Sequence, residues 1–415
     1  MTEVKNQAPI KIVQTEKFKT IALTVFFKST MDETRVAARN LLSKMMIKRT
    51  SQFKTEIALL DYLSKYYGAH ITSSTFKRGS DHVVLFRMEF VNDRFILEDL
   101  DVFSPMVELL KDIIHSPSQY DEEAETYFDK ELRLYKNRLK NNQDNRSLKS
   151  FEQMLDVMFE DHPMRMPGYG TLEALEDLTL EDVKKEHHRM LENDEVAVVL
   201  VGDIDAGVED KFSDLFNREN PVQLTNESYT FPDTVEVKDS ISTMKIEQAK
   251  LNIGFTIKVK DKIDRINLSA MNQMFGGSVN AFLFTNVREK LSLAYQIFSS
   301  VDARNGFLYV MAGVDNNNVE IAKSAILKEL ERIKSGDFDD AFVDEIKLMM
   351  LVNRQESEDR PKGLTGIAYN QLITGKVTDY EALLTYVTKE KIMEIASRLS
   401  MNTVHVLTGG NLNGN

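Results

Sequence analysis

Cysteine and tryptophan are both missing from the 415 residues. Without cysteine the chain has no disulfide framework, no thiolate nucleophile and no Cys-ligated zinc or iron–sulfur cluster. A reducing compartment suits such a chain, and a cytoplasmic location is expected. Long hydrophobic runs are absent too. The most apolar stretches, IALTVFF and VAVVLV, are strand-length and far short of a membrane span. The N-terminal stretch MTEVKNQAPIKIVQTEKFKT lacks the apolar core of a signal peptide. Positive charge is in deficit, with 52 basic against 65 acidic residues and a net charge of −13. A field of that sign repels phosphate backbones, which argues against nucleic acid as a partner. Histidine is sparse as well: His70, His82, His115, His162, His187, His188 and His405 are all there are. None precedes His70 and no two lie four apart, so the paired-histidine helix of zinc peptidases occurs nowhere in the chain.

What is present is globular, with 42% apolar and 28% charged residues. The length suits two domains of roughly 200 residues each. Thr20 to Ser29 is β-branched and aromatic and reads as a strand. After it, Val36, Ala37, Leu41, Leu42, Met45 and Met46 recur at helical spacing, with Asp32 as the expected N-cap. A second helix is expected to stop at Gly68. The strands AHITSSTF and HVVLFRMEFV are joined across KRGSD. Long helical stretches are expected from about Leu97 to Ile114 and from about Asp121 to Glu160. A helix from about Leu180 and the strand EVAVVLVGDID close the first half.

The second half repeats this order from AKLNIGFTIKV to the closing strand TVHVLTGGN. The pattern predicts an α+β chain of two tandem similar domains, residues 1–222 and 223–415, each a mostly antiparallel sheet with helices packed on one face. The turn-rich stretch between Gly202 and about Ser242 reads as the linker. The adjacent His187 and His188 diverge by about 100° on a helix and read as a solvated face rather than a metal site. Phe275-Gly276-Gly277-Ser278 lacks the ending and spacing of a phosphate loop.

Three segments carry a family resemblance. In Phe275 to Ser300, Leu283, Phe284, Arg288, Glu289, Leu293, Ala294 and Tyr295 fall in the pattern Leu-Phe-x-x-x-Arg-Glu-x-x-x-Leu-Ala-Tyr. This resembles the second-domain helix of the insulinase/pitrilysin/mitochondrial processing peptidase superfamily of zinc peptidases. The stretch from DHPMRMPGYG through VAVVLVGDID resembles that family's Pro- and Gly-rich loop, helix and Gly-Asp-terminated strand. Gly68 to Thr75 resembles its Gly-x-x-x-Asn-Ala-x-Thr strand, with Thr72 where active relatives carry Asn. The resemblance implies a clamshell of two halves.

It also implies where the zinc site should be, and the residues there cannot form it. Active members carry H-x-x-E-H on the first long helix, two zinc ligands around a general base, and a third ligand on a later helix. Aligned with them, Asn40 and Lys44 take the histidine positions, Ser43 the catalytic Glu position and Arg138 the third-ligand position, while Glu131 is retained. Lys44 and Arg138 do not ligate while protonated, and each would oppose a divalent ion by about 8 kcal/mol at about 4 Å in an effective dielectric of about 20. No metal cofactor and no catalytic residue are therefore expected.

Arg288 and Tyr295 match residues that, in active relatives, reach across the cleft to the substrate backbone and the developing oxyanion. The alternative is an exposed helix arginine and a strand tyrosine with a partly buried ring. The strand holding Thr72, Ser73 and Ser74 would accept an extended peptide by β-augmentation, as in relatives. Three functions remain open at this point. One is a non-catalytic subunit that binds peptide or unfolded polypeptide and pairs as a heterodimer with an active zinc-bearing homologue. A second is a stand-alone, homodimeric peptide-binding or scaffold protein, and the third is a weak or non-standard zinc metallopeptidase.

Overall fold

The computed structural model describes residues 8–97, 99–160, 162–212, 224–225, 231 and 236–410. The chain forms two compact units that are not contiguous in sequence. Unit 1 comprises Met1–Lys140, Pro167–Glu227 and Gln355–Val377; unit 2 comprises Asn141–Met166, Ser228–Arg354 and Thr378–Asn415. The expected boundary at 222/223, and about half of the expected linker, lie outside the described residues.

Unit 1 is built on a five-stranded sheet in the order β1-β5-β2-β4-β3. Its strands are β1 (Ile10–Gln14), β2 (Thr20–Thr30), β3 (His70–Arg78), β4 (Asp81–Val91) and β5 (Glu195–Gly202). Strand β2 runs antiparallel to both β4 and β5, while β1 joins β5 in parallel. Unit 2 repeats this plan in the order β6-β10-β7-β9-β8. Its strands are β6 (Lys238–Thr243), β7 (Gln248–Thr256), β8 (Ala294–Asp302), β9 (Phe307–Asp315) and β10 (Ser400–Thr408). The repeated α+β plan is therefore present, with one addition per unit. The edge strands β1 and β6 are short and only half-buried, and alternation alone does not separate them from polar loop.

One face of the first sheet carries helices α1 (Val36–Met46), α2 (Glu56–Ser64), α3 (Phe103–His115), α4 (Ala124–Asp144) and α6 (Leu180–Asn193). Phe27 of β2 and Phe86 of β4 meet edge to face there, 6.0 Å between centroids, both fully buried. A buried ring of this kind contributes about 2–3 kcal/mol by area alone. Helices were expected on that face only, but the opposite face is covered as well. Tyr369 of α10 (Pro361–Thr374) stacks on Phe26 at 3.8 Å, within a cluster holding Ala22, Val199 and Val201.

In unit 2 the second face is covered by α5 (Arg146–Phe159), whose Met154 and Met158 pack against Gly254 of β7. The long helix expected from Asp121 to Glu160 thus divides at Asn145, whose side chain caps α5 by accepting from Leu148 N. The remaining helices of unit 2 are α7 (Lys262–Asn272), α8 (Val319–Ser335), α9 (Asp340–Glu358), α11 (Tyr380–Leu384) and α12 (Lys389–Ser397).

Two local expectations need correction. Asp32 does not cap α1 with its side chain; it closes a turn onto Thr34 N at 2.9 Å, and the helix begins at Val36. The stretch from Leu97 is helical only from Phe103.

Candidate functional site

Helix α1 is buried on almost every side. Its apolar residues face the core, and Arg39, Asn40 and Ser43 are buried polar residues whose partners lie on neighbouring elements or on the helix itself. The Asn40 amide bridges three of these. Its Nδ2 donates to Val36 O at 2.8 Å and Gly168 O at 2.9 Å, and its Oδ1 accepts from Thr75 Oγ1 at 2.6 Å. Gly170 allows the loop carrying Gly168 to lie this close. Its φ is +78°, and a Cβ there would stand 3.1 Å from Ala37 Cα. Ser43 Oγ donates back to Asn40 O at 2.8 Å. Asn40 thus holds α1, β3 and the loop together, while the Ser43 hydroxyl stays within the helix.

Lys44 is different. Its Nζ reaches β3 and donates to Ser73 O at 2.6 Å and Ser73 Oγ at 3.1 Å. Burial, then the charges of Arg138 and Lys48, lower its pKa to about 8. Arg138 is exposed and has no hydrogen-bond or ion-pair partner among the described residues. The retained Glu131 is buried and faces Lys48, 2.8 Å away. Along β3 the three expected peptide-contacting residues split as strand alternation requires. Ser73 is turned toward α1, while Thr72 and Ser74 are exposed on the other side. The strand is the edge of its sheet.

Sequence reasoning missed the network behind this corner. Arg39, 2% exposed, donates to Glu186 at 3.0 Å, to Asp194 at 2.7 Å and to His82 Nδ1 at 3.1 Å. Arg35 grips both oxygens of Glu186 at 2.8 Å. His82 donates from Nε2 to Gly168 O at 2.8 Å, which fixes the neutral tautomer with Nδ1 as acceptor. Burial, then the Arg39 charge, lowers its pKa to about 4. The available signal was a charged residue four positions after Arg35 on a helix otherwise reading as core.

The matched segment of unit 2 departs from regular geometry three times in succession. Leu283–Lys290 is π-helical, so the expected α-helix is wound one residue wider. Ser292 then sits at φ +52°, a left-handed conformation that costs a non-glycine residue free energy. The β8–β9 register shifts between Ala294 and Gln296, so Tyr295 is the bulged residue. Arg288 is exposed, its guanidinium 4.4 Å from the Phe284 ring centroid. Tyr295 is 61% exposed.

His187 is not on a solvated face. It is buried, with Nε2 2.7 Å from Ile114 O and Nδ1 2.8 Å from Tyr120 Oη, while His188 is exposed. Among the described residues no group of three or more His, Asp or Glu is placed to hold a metal ion. No helix among them is long and apolar enough to cross a membrane.

Known proteins agree with this arrangement. Residues 177–350 match the family described as the peptidase M16 inactive domain. A Bacillus subtilis protein named probable inactive metalloprotease YmfF is 28% identical over 405 residues, covering 96% of this chain and 95% of that one. A Helicobacter pylori protein named non-peptidase homolog YmxG is 23% identical over 257 residues, or 59% of this chain and 58% of that one. The crystal structure of a conserved protein from Enterococcus faecalis superposes with a TM-score of 0.90 at 26% identity, covering 99% of each chain.

Proposed function

From a chain that belongs to the peptidase M16 family as an inactive, peptidase-like member, we propose a non-catalytic subunit that binds extended peptide and lends that binding to an active, zinc-bearing homologue. The observation that carries this reading is the segment from Leu283 to Tyr295. Three consecutive irregularities surround a tyrosine and an arginine that both face solvent. Strain of this kind persists where the surroundings hold a side chain for use. The exposed Thr72 and Ser74 on the edge strand β3 support the same reading, because an unpaired edge is a template for an added strand. By contrast, the positions that would do chemistry are Asn40, Ser43, Lys44 and Arg138, which hold backbone or carry positive charge. We place this work in the cytosol, where a chain without cysteine is at no disadvantage.

The test combines three measurements on the purified chain. Elemental analysis should find no stoichiometric zinc, and a quenched-peptide assay should find no chelator-sensitive cleavage. Added to an active homologue from the same organism, the chain should co-elute with it and raise its cleavage of peptide. Zinc with chelator-sensitive cleavage would overturn the non-catalytic reading. An unchanged elution volume and unchanged activity of the homologue would overturn the pairing.

A further inference from the structure

We propose that the corner formed by Lys44 and Arg138 is an anion site that takes a carboxylate of the bound peptide. The proposal rests on the peptide-binding reading and adds the chemical class of what is bound.

The argument begins with the donors. A lysine ammonium has three N–H bonds, and the structure accounts for two of them on Ser73 O and Ser73 Oγ. The third has no partner among the described residues. Arg138 brings five donors in a planar fork suited to a carboxylate, is exposed, and has no partner among the described residues. The helices that carry the two cations, α1 and α4, are held together by the Lys48–Glu131 pair at 2.8 Å, and the charge of Arg138 opposes that of Lys44. Every other charged group facing Lys44 has been identified. Lys48 on its own helix is also positive, and Glu131 on α4 is committed to Lys48 at 2.8 Å, with Lys130 at 3.9 Å from its other oxygen. Strand β3 offers only hydroxyls between Thr72 and Thr75.

Four positive charges, those of Lys44, Arg138, Lys48 and Lys130, against the one negative charge of Glu131 make this corner electropositive on a chain of net charge −13. Within a partly buried setting such a contrast selects an anion rather than a cation. A strand added along β3 would pass beside Ser73, and its carboxylate would meet Lys44 from the edge.

The experiment uses the full chain and extended peptides that differ only in charge. One pair has Glu or Gln at a central position, and a second pair ends in a free carboxylate or an amide. Binding is read by fluorescence anisotropy for wild type, R138Q and K44M. The charged member of one pair should bind about tenfold more tightly to wild type. That preference should vanish in both variants, while the uncharged peptide keeps its affinity. Dependence on the Glu/Gln pair identifies a side-chain carboxylate, and dependence on the terminal pair identifies the C-terminus. Equal affinity within both pairs, or a preference that survives R138Q, overturns the proposal.

A second measurement separates this site from peptide binding itself. The Lys44 amine is followed by NMR in protein carrying lysine labelled with carbon-13 at Cε, with acetate as the probe. Saturable acetate binding should raise its titration midpoint in wild type and not in R138Q. Acetate binding without any peptide binding would remove the peptide reading and leave a carboxylate site. Peptide binding without charge preference or acetate response would do the reverse.

Discussion

Lys44 and Ser73 are joined twice, through the carbonyl oxygen at 2.6 Å and the hydroxyl at 3.1 Å, which ties helix α1 to the edge strand β3. The ammonium sits against a backbone acceptor with no carboxylate to neutralise it. Burial and the nearby Arg138 and Lys48 therefore lower its pKa to about 8, from 10.5.

The sign of the resulting pH dependence follows. Between about pH 8 and 10.5 the unfolded chain holds the Lys44 proton more tightly than the folded chain does. Stability therefore rises with pH across that window, and K44M should remove this contribution. Urea denaturation of both proteins at several pH values in the window checks it. Parallel curves would mean that Lys44 is not the source.

The buried Arg39 predicts a larger effect. It is 2% exposed and holds Glu186 and Asp194 at 3.0 and 2.7 Å. In R39M, Glu186 keeps its two bonds from Arg35, but the Asp194 carboxylate loses the guanidinium inside the protein. The expected loss is about 3–5 kcal/mol, measured by equilibrium unfolding. A loss below about 1 kcal/mol would mean that the network does not hold α1 to α6.

Much of the fold was legible because strand and helix periods differ. The antiparallel strands β2, β4, β7 and β9 alternate or run apolar, and the hairpin turn at Gly79, with φ +63°, was marked by its residues. The absence of a paired-histidine zinc motif was legible for a different reason, since a count of histidines needs no register. The exchange of α5 and α10 between units was not legible. Both are amphipathic helices, and amphipathicity says that a helix has a partner but not which sheet supplies it. The same limit hid the Arg39 network, because its acids come from α6 and the residue following it, about 150 positions away. The π-helical winding and the bulge at Tyr295 were equally invisible, being set by how β8 meets β9 rather than by residue type.

Three buried histidines predict acid sensitivity. His82, His187 and His405 each have a pKa lowered by burial to about 4, from 6.5. Below about pH 6.5 the unfolded chain takes up protons that the folded chain refuses, so stability falls on acidification through that window toward pH 4. Each His→Gln variant should lower the proton uptake on unfolding by up to about one at pH 5. The slope of unfolding free energy against pH gives that number directly. An unchanged slope in H82Q would show that His82 is already charged in the folded protein.

Arg288 and Tyr295 separate function from stability. Tyr295 is 61% exposed and Arg288 is exposed beside the Phe284 ring, so neither fills space in the core of unit 2. Surface substitutions of this kind change stability by within about 0.5 kcal/mol, and loss of an exposed cation–π contact adds about 0.5–1 kcal/mol at R288A. Peptide binding should respond far more, with a loss of tenfold or so in Y295A, because the bulge aims that ring outward. S292G provides the control. Glycine relieves the left-handed strain at φ +52° and should stabilise the unit by about 1 kcal/mol, while freeing the turn that aims Tyr295 and so weakening the peptide complex. Unfolding and peptide titrations of the three variants decide the matter. If Y295A loses more than about 2 kcal/mol of stability with peptide affinity intact, the tyrosine is structural and the peptide surface lies elsewhere.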